Sequence, residues 1–524
     1  MKKIYSIKCS LLFSTVFLFT NCNDNFLERY PLDEISNENY WNVENDLLVY
    51  NNSLYDLAMD DDKVPIMMGH DQGSASRSYS IWWWDILSDN MVSQNSRLDF
   101  YSQIRSGKNV IPSDVKSQWN GYKGWEFVRE INFGLENYDR ADIAQSVIDK
   151  YAGEARLFRG WFYGEKVLKF GDVTWIDHVL NIDSEELYDP RTPRDTVMQK
   201  VMEDLSFACE KLPDDWGDGN APGRLNRWCA LLVKSRICLY EGTWQKYHNG
   251  KNSDMWLQEA ADAAKELIEN GPYSLYSTGD VAHDYNNLFR ATDLTGNPEV
   301  LYWRKYVPGQ YMNSIMRCFR AYNGGATKSF VEDYLCTDGL PISLSPLYKG
   351  DAQIENVFEN RDPRLRQTIQ HPEDVAYFKY AGGSTAHPRF TGMSGGYTSK
   401  TGYHIIKVYN YEAGIANSGT DVTPAINLRF GEGLLNYAEA KAELGTITQA
   451  DLDISINLLR DRVGMPHLNL SNVPVDPRYA DDGVPALIVE IRRERRVELF
   501  VEGFRYDDLR RWKQGKKLTS PDYG

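Results

Sequence analysis

Through roughly the first 300 positions apolar residues recur at three- and four-residue steps, and that spacing predicts a succession of amphipathic helices. Between Trp119 and Arg140 the periodic positions are Tyr122, Trp125, Val128, Ile131 and Leu135. Between Tyr151 and Val173 they are Ala155, Phe158, Phe162, Val167 and Phe170, with Gly171 as the stop signal. Residues 196–212 and 224–244 read as a further pair, separated by the turn Leu212-Pro213-Asp214-Asp215-Trp216-Gly217. An Ala-rich helix over 254–270 closes at Gly271-Pro272. From about 300 to 425 the periodicity fades into Gly, Pro, Tyr and Thr, which predicts loops with short strands. Helices resume at Asn427–Leu444, Gln449–Arg462 and Ala486–Val501.

Paired helices of this length, with small residues where they cross, predict tetratricopeptide-like units, although the spacing is too irregular for a simple array. The expected fold is therefore mostly α: a tetratricopeptide-like helical-repeat frame with a loop-rich insertion of short strands and helices in the second half. The expected organisation is a leader over 1–21, a tether over 22–40, a helical-repeat region over 41–300, a loop-rich region over 301–426 and closing helices over 427–524.

The leader alters the picture of where such a frame resides. Lys2, Lys3 and Lys8 precede an apolar run, Leu11–Phe19, that is too short to be a permanent membrane span. Phe19-Thr20-Asn21-Cys22 then resembles a bacterial lipoprotein signal, with Cys22 as the lipidated residue, although Asn21 stands where a smaller residue is usual. Asp24 just beyond it resembles a surface-export signal. Several acyl chains on one end hold a protein firmly to a membrane. The rest of the chain, with no later run of about 18 apolar residues, reads as a soluble, tethered body.

A net charge of −16 over 524 residues disfavours nucleic acid and anionic lipid, and suits a neutral ligand or a basic partner patch. Seven cysteines, at 9, 22, 209, 229, 238, 318 and 336, form no C-x-x-C pair, so no zinc ribbon or dithiol site is signalled. The string Gly392-Met393-Ser394-Gly395-Gly396 fits G-x-S-x-G but lies in a loop with no helical run after it, unlike a nucleophile elbow. Asp60-Asp61-Asp62 and Glu185-Glu186 are read as surface acids rather than a glycosidase pair. His70-Asp71 and His283-Asp284 are read as surface pairs rather than metal ligands. No enzymatic fingerprint appears, and the chain reads as non-catalytic, without a cofactor; a structural calcium ion stays compatible with the sequence.

Aromatic residues reach 13%, with 33 Tyr and 14 Trp. Such residues pair a flat apolar face with a polar handle and suit half-wet surfaces such as a sugar-binding site. The densest group is Trp82-Trp83-Trp84 behind the polar loop 70–80. Three successive helical positions point about 100° apart, so either one ring meets solvent or all three pack beneath loops. Asp71, Gln72 and Arg77 are the candidate hydrogen-bonding partners beside them.

Seven segments, in order, together resemble the SusD-like (RagB/SusD) family. They are Glu154–Tyr163 running on to Val173, Tyr334–Ile342 with its Asp338-Gly339 turn, Asn360-Arg361-Asp362-Pro363-Arg364-Leu365, and Thr401-Gly402-Tyr403-His404 with Lys407. Leu428–Gly445, Ile456–Pro466 and Glu490–Arg511 complete the set, the last being the strongest match. The resemblance implies a glycan-binding, outer-membrane lipoprotein on the cell surface. It also implies pairing with a SusC-like TonB-dependent transporter over which the protein acts as a hinged lid. Members that take peptides or glycoproteins keep that alternative ligand open. In the family, ligand contacts come from the early loops and from the region near 300, which adds Trp303, Tyr306, Tyr311 and Tyr322 as candidates. The Arg- and Glu-rich run 490–511 is read as a solvated or partly buried ion network.

Overall fold

The computed structural model describes residues 37–58, 66, 68–70, 81–93, 103–108, 122–217, 223–321, 323–373, 378–380, 383–385, 399–410, 419–519 and 523. Nine helices carry the frame: α1 (Glu44–Ala58), α2 (Trp125–Asn137), α3 (Gln145–Phe170), α4 (Arg194–Lys211), α5 (Arg227–Tyr247), α6 (Ser253–Asn270), α7 (Phe430–Glu443), α8 (Ala486–Glu498) and α9 (Arg505–Arg511). Each packs on its neighbour in sequence from α3 through α7, α1 and α2 cover α3, and α8 closes against α7. This is the mostly helical, repeat-built frame that the periodicity predicts. No helix among the described residues is long and apolar enough to cross a membrane.

The helix boundaries differ from the expected ones for local reasons. Helix α2 begins at Trp125, because Gly124 takes a left-handed φ of 84° that an α-helix cannot contain. Helix α3 ends at Phe170, where Gly171 at φ 72° donates its N–H to the Val167 carbonyl. The stretch 449–462 is two short helices, Gln449–Asp453 and Ile456–Arg462. Thr448 and Asp451 form a capping box on the first, and non-helical Ser455 turns its hydroxyl onto the Asp451 carbonyl. Helix α7 starts at Phe430 because the residues before it are spent on a strand.

That strand, β6 (Ala425–Arg429), pairs antiparallel with β2 (Val300–Arg304). Two further two-stranded ladders join β1 (Met91–Ser93) to β3 (Asn323–Ala326) and β4 (Phe378–Tyr380) to β5 (Gly383–Thr385). Short strands between irregular segments are what the Gly/Pro/Tyr composition predicts for this half.

Among the described residues the apolar side chains form two large cores and a small cluster of Leu335, Val463 and Met465. The first fills the helical frame and includes Phe158, Phe162, Trp228, Leu257 and Leu434. The second lies under the loop-rich half and includes Trp82, Tyr285, Trp303, Phe319 and Phe330. Helix α8 and the turn after it serve both: Ile491 and Leu499 enter the first core, Val497, Phe500 and Val501 the second. Every residue from Ile488 to Glu498 is buried, so the Arg/Glu run is not a solvated face. Its charges are neutralised from distant segments. Glu498 meets Arg364 at 3.0 Å, Arg429 at 2.8 Å and Arg462 at 2.7 Å. Asp333 meets Arg493 at 3.2 Å and Arg496 at 2.6 Å. Buried charges survive only when paired and hydrogen-bonded, and these pairs clamp the loop-rich half onto the frame.

Candidate ligand-binding site

The β2–β6 ladder places the region near 300 beside residues 68–70. Beyond Arg304 the chain makes a tight turn in which Gln310 donates to the Val307 carbonyl at 3.1 Å. Pro308 and Gly309 occupy its centre, and Gly309 takes φ 75°, as a type II turn requires at that position. Val307 and Tyr311 then exchange backbone hydrogen bonds of 2.7 and 3.0 Å. This returns the Tyr311 ring over Tyr306, with centroids 5.4 Å apart and planes within 9°. Tyr306 in turn lies parallel to His70, at 6.1 Å and 11°. The Arg304 guanidinium sits 4.5 Å from the Tyr311 ring centre and 5.6 Å from that of Tyr306.

The stack is held from behind. The His70 N–H donates to the Tyr306 hydroxyl at 2.6 Å, and that hydroxyl donates to the His70 carbonyl at 3.2 Å. His70 Nε2 lies 3.1 Å from the Pro424 carbonyl, so the ring carries its proton there. Burial drives His70 down to about 4, against the pull of that carbonyl and with a further push from Arg304, so the imidazole is neutral at physiological pH. A Cβ on Gly69 would stand 2.3 Å from Arg304 Nη1, so a side chain here would displace the guanidinium from its place over the tyrosines. His70, Arg304 and Tyr306 are buried, whereas Tyr311 is partly exposed beside the exposed Pro308-Gly309-Gln310 tip. The result is a rigid aromatic ring at the surface, pre-set by three buried groups. Such a ring can receive the C–H face of a sugar at little ordering cost.

Tyr306 and Tyr311 are thus brought together, and the remaining sequence candidates are dispersed. Trp303 lies buried in β2 in the second core. Trp82 is buried in the same core against Phe319, with centroids 4.5 Å apart. Neither ring faces solvent. Trp84 is partly exposed but lies elsewhere, with Lys169 Nζ 5.3 Å from its ring centre. Cys22, Asp71, Gln72, Arg77, Tyr322, the Trp83 side chain and the Gly392–Gly396 string lie outside the described residues. Residues 70–304 supply two members that the sequence did not nominate, Arg304 and His70. His70 is buried, not a surface residue, because Pro424 and Tyr306 enclose it. An arginine at the end of an otherwise apolar strand was the only signal for Arg304. Glu185, Glu186 and His283 are exposed as expected, whereas Asp284 is buried, because its carboxylate accepts from the Thr278 N–H and hydroxyl. Among the described residues no cluster of three or more His, Cys, Asp or Glu could hold a metal ion.

A helical-repeat frame joined to a loop-rich half is the architecture of a known class of proteins. Two family models match: one described as the SusD family over residues 303–524, the other as starch-binding associating with outer membrane over 23–239. A curated relative, SusD-like protein P2 of Formosa agariphila, is 23% identical over 536 residues, covering 100% of this chain and 93% of that one. A solved SusD-like protein of Bacteroides fragilis superposes with a TM-score of 0.71 at 26% identity, over 93% of this chain and 90% of that one. A second from the same organism, a SusD-like carbohydrate-binding protein, gives 0.70 at 22% identity, over 91% and 88%. The chain belongs to the SusD-like family.

Proposed function

We propose that the protein is a glycan-binding lipoprotein of the cell surface, anchored to the outer membrane through Cys22. In this reading it passes an oligo- or polysaccharide to a SusC-like TonB-dependent transporter and does no chemistry on it. The observation that carries the reading is the His70–Tyr306–Tyr311 stack with Arg304: a flat, pre-set surface ring beside polar groups. The matched family description, which names starch binding and outer-membrane association, supports both the ligand class and the location. A structural neighbour described as carbohydrate-binding supports the ligand class as well. The surface charge of −16 agrees with a neutral ligand.

The protein lacking residues 1–22, run in native gels cast with plant, host and microbial polysaccharides, is expected to be retarded by at least one polymer. Calorimetry with that polymer should saturate, and no shorter product should accumulate. Retardation by none of the polymers would move the ligand to peptides or glycoproteins. Release of shortened sugars would overturn the non-catalytic reading.

A further inference from the structure

The connection between α3 and α4 is an ordered excursion. Its base is closed: Thr192 donates its N–H to the Val173 carbonyl at 3.1 Å, and the Thr192 hydroxyl accepts from the Trp175 N–H at 3.1 Å. The outgoing stretch 176–180 is strapped to α2. Asn132 Nδ2 donates to the carbonyls of Ile176 and His178, both at 3.1 Å, and the Glu136 carboxylate accepts from the Val179 N–H at 2.7 Å. Asn132 is itself held at 2.8 Å by the buried Arg159, which pairs with Asp204 at 2.7 Å. The tip, residues 181–191, contains no buried residue. It is folded on itself nonetheless: the Ser184 hydroxyl accepts from the Asn181 N–H at 2.9 Å, and Glu185–Tyr188 form a 3₁₀ turn.

This tip carries the two most exposed large apolar side chains among the described residues, Ile182 at 96% and Tyr188 at 86%, with Leu187 at 50% between them in sequence. Single exposed apolar residues are ordinary on any surface. Three of them on one ordered tip are not scattered, and a grouped, exposed apolar surface marks a contact site. The tip is also acidic. Between 177 and 189 lie Asp177, Asp183, Glu185, Glu186 and Asp189, with no lysine or arginine. All these acids are exposed. His178 lies 3.3 Å from Asp177 and 3.5 Å from Glu186, while Asp183, Glu185 and Asp189 turn to solvent.

The chemistry of the tip selects its occupant. A second copy of this chain would bring the same acids on a molecule of net charge −16, and an anionic lipid surface would repel them as well. A sugar takes a flat ring with fixed donors beside it, whereas Ile182 is a branched aliphatic knob. What fits is a protein surface with an apolar pocket rimmed by lysine and arginine. The knobs fill the pocket, and the acids meet the rim, steer the encounter and exclude wrong partners. The strapped base spares the tip much of the cost of ordering on contact. We infer that residues 181–189 are a docking tip for such a basic-rimmed partner protein, and that the transporter of the reading above is this partner. The choice of partner rests on that reading; the surface and the charge it calls for do not.

The test purifies the tagged full chain in detergent from cells that also make the transporter, and measures how much transporter follows it. The parent is expected to bring the transporter with it. The double variant Ile182→Asp with Tyr188→Ala should recover about tenfold less or lower still, at an unchanged melting temperature, because neither side chain packs in the fold. Asp183→Lys with Glu185→Lys should reduce recovery by a similar factor at low salt. A benzophenone photoprobe in place of the Tyr188 ring should join the chain to the transporter, through a peptide in which lysine and arginine outnumber acids. Undiminished recovery in both double variants, with the transporter still following the parent, overturns the inference and leaves the reading above in place. Absence of transporter from the parent preparation overturns both. A photoprobe that joins only lipid or a second copy of this chain, or nothing, also overturns the inference.

Discussion

Glu498→Gln is expected to lower the unfolding free energy by about 3–5 kcal/mol, the cost of removing one partner from a buried ion cluster. The carboxylate is wholly buried and is the shared acceptor for Arg364, Arg429 and Arg462. Burial alone would raise its pKa, but Arg462, Arg429 and Arg364 outweigh burial and hold it well below the usual carboxylate range. A glutamine of the same shape keeps the packing and removes the charge, so three guanidiniums lose part of their compensation in a site that water cannot reach. Arg364 retains Asp362 at 2.7 Å and Arg429 retains Glu502 at 2.7 Å, which limits the damage to a few kcal/mol rather than complete loss of fold. Glu203→Gln is the matched control. Its pair with Lys200 has side chains 57% and 41% exposed, and such solvent-screened surface pairs add little to stability. Chemical denaturation of the two variants reads the difference directly. Equal, small losses would show that the cluster is not what joins the two halves.

Acid is expected to undo the same network. In Asp333 burial is opposed and outweighed by Arg496, Arg493 and Arg478; in Asp89 it is outweighed by Arg496 and Arg505, and both carboxyls are held far below the ordinary value. Burial likewise raises and Arg478 and Arg493 lower Asp476, which ends at about 2. A carboxyl whose folded pKa lies below its unfolded one binds fewer protons when folded. Its stabilisation is complete above the unfolded value near 4 and is lost as pH falls through the folded one. A buried Asp held about two pH units low contributes roughly 2–3 kcal/mol in this way. Several such groups together make stability fall steeply between about pH 4 and pH 2. Other acids oppose the trend: burial raises Asp85 to about 7 and Asp421 to about 6, and also raises Glu490, Asp507 and Glu332, so these weaken the fold as pH climbs above 4. Melting temperatures across pH 2–8 should therefore collapse on the acid side, peak at about pH 4 to 5, and decline again toward neutrality as Asp85 and Asp421 ionise. A flat acid limb would mean that the paired carboxylates contribute little.

The helical frame was legible in the sequence because its signal is local. Phe158, Phe162 and Val167 repeat at the spacing of one helix face, and Gly171 marks the end. Where boundaries were misplaced, the cause was a single residue's backbone, Gly124 or Ser455, or the pairing of 425–429 as a strand, none of which periodicity senses. Whether 490–511 forms a solvated or a partly buried network was not legible. Arg and Glu at helical spacing look the same on a wet face as in a buried clamp, and the deciding partners at 333, 364, 429 and 462 come from elsewhere in the chain. The site was half legible. Tyrosine near position 300 is a type-and-region signal, and it nominated Tyr306 and Tyr311. The roles of His70 and Arg304 arise only when β2 pairs with β6 and brings Pro424 against His70. The tryptophan run could not be resolved in advance, because a short 3₁₀ turn sends Trp82 into the second core and Trp84 toward a different crevice.

The glycan-binding reading stands on Tyr311, and calorimetry of Tyr311→Ala with the retarding polysaccharide tests it most directly. Truncating an aromatic anchor at a binding surface costs about 2–4 kcal/mol, or roughly 30-fold or more in affinity. The expected result is that loss, with an unchanged melting temperature, while Trp84→Ala binds the polymer as the parent does. Undiminished polysaccharide affinity in a folded Tyr311→Ala protein would contradict the assignment of the stack as the glycan site.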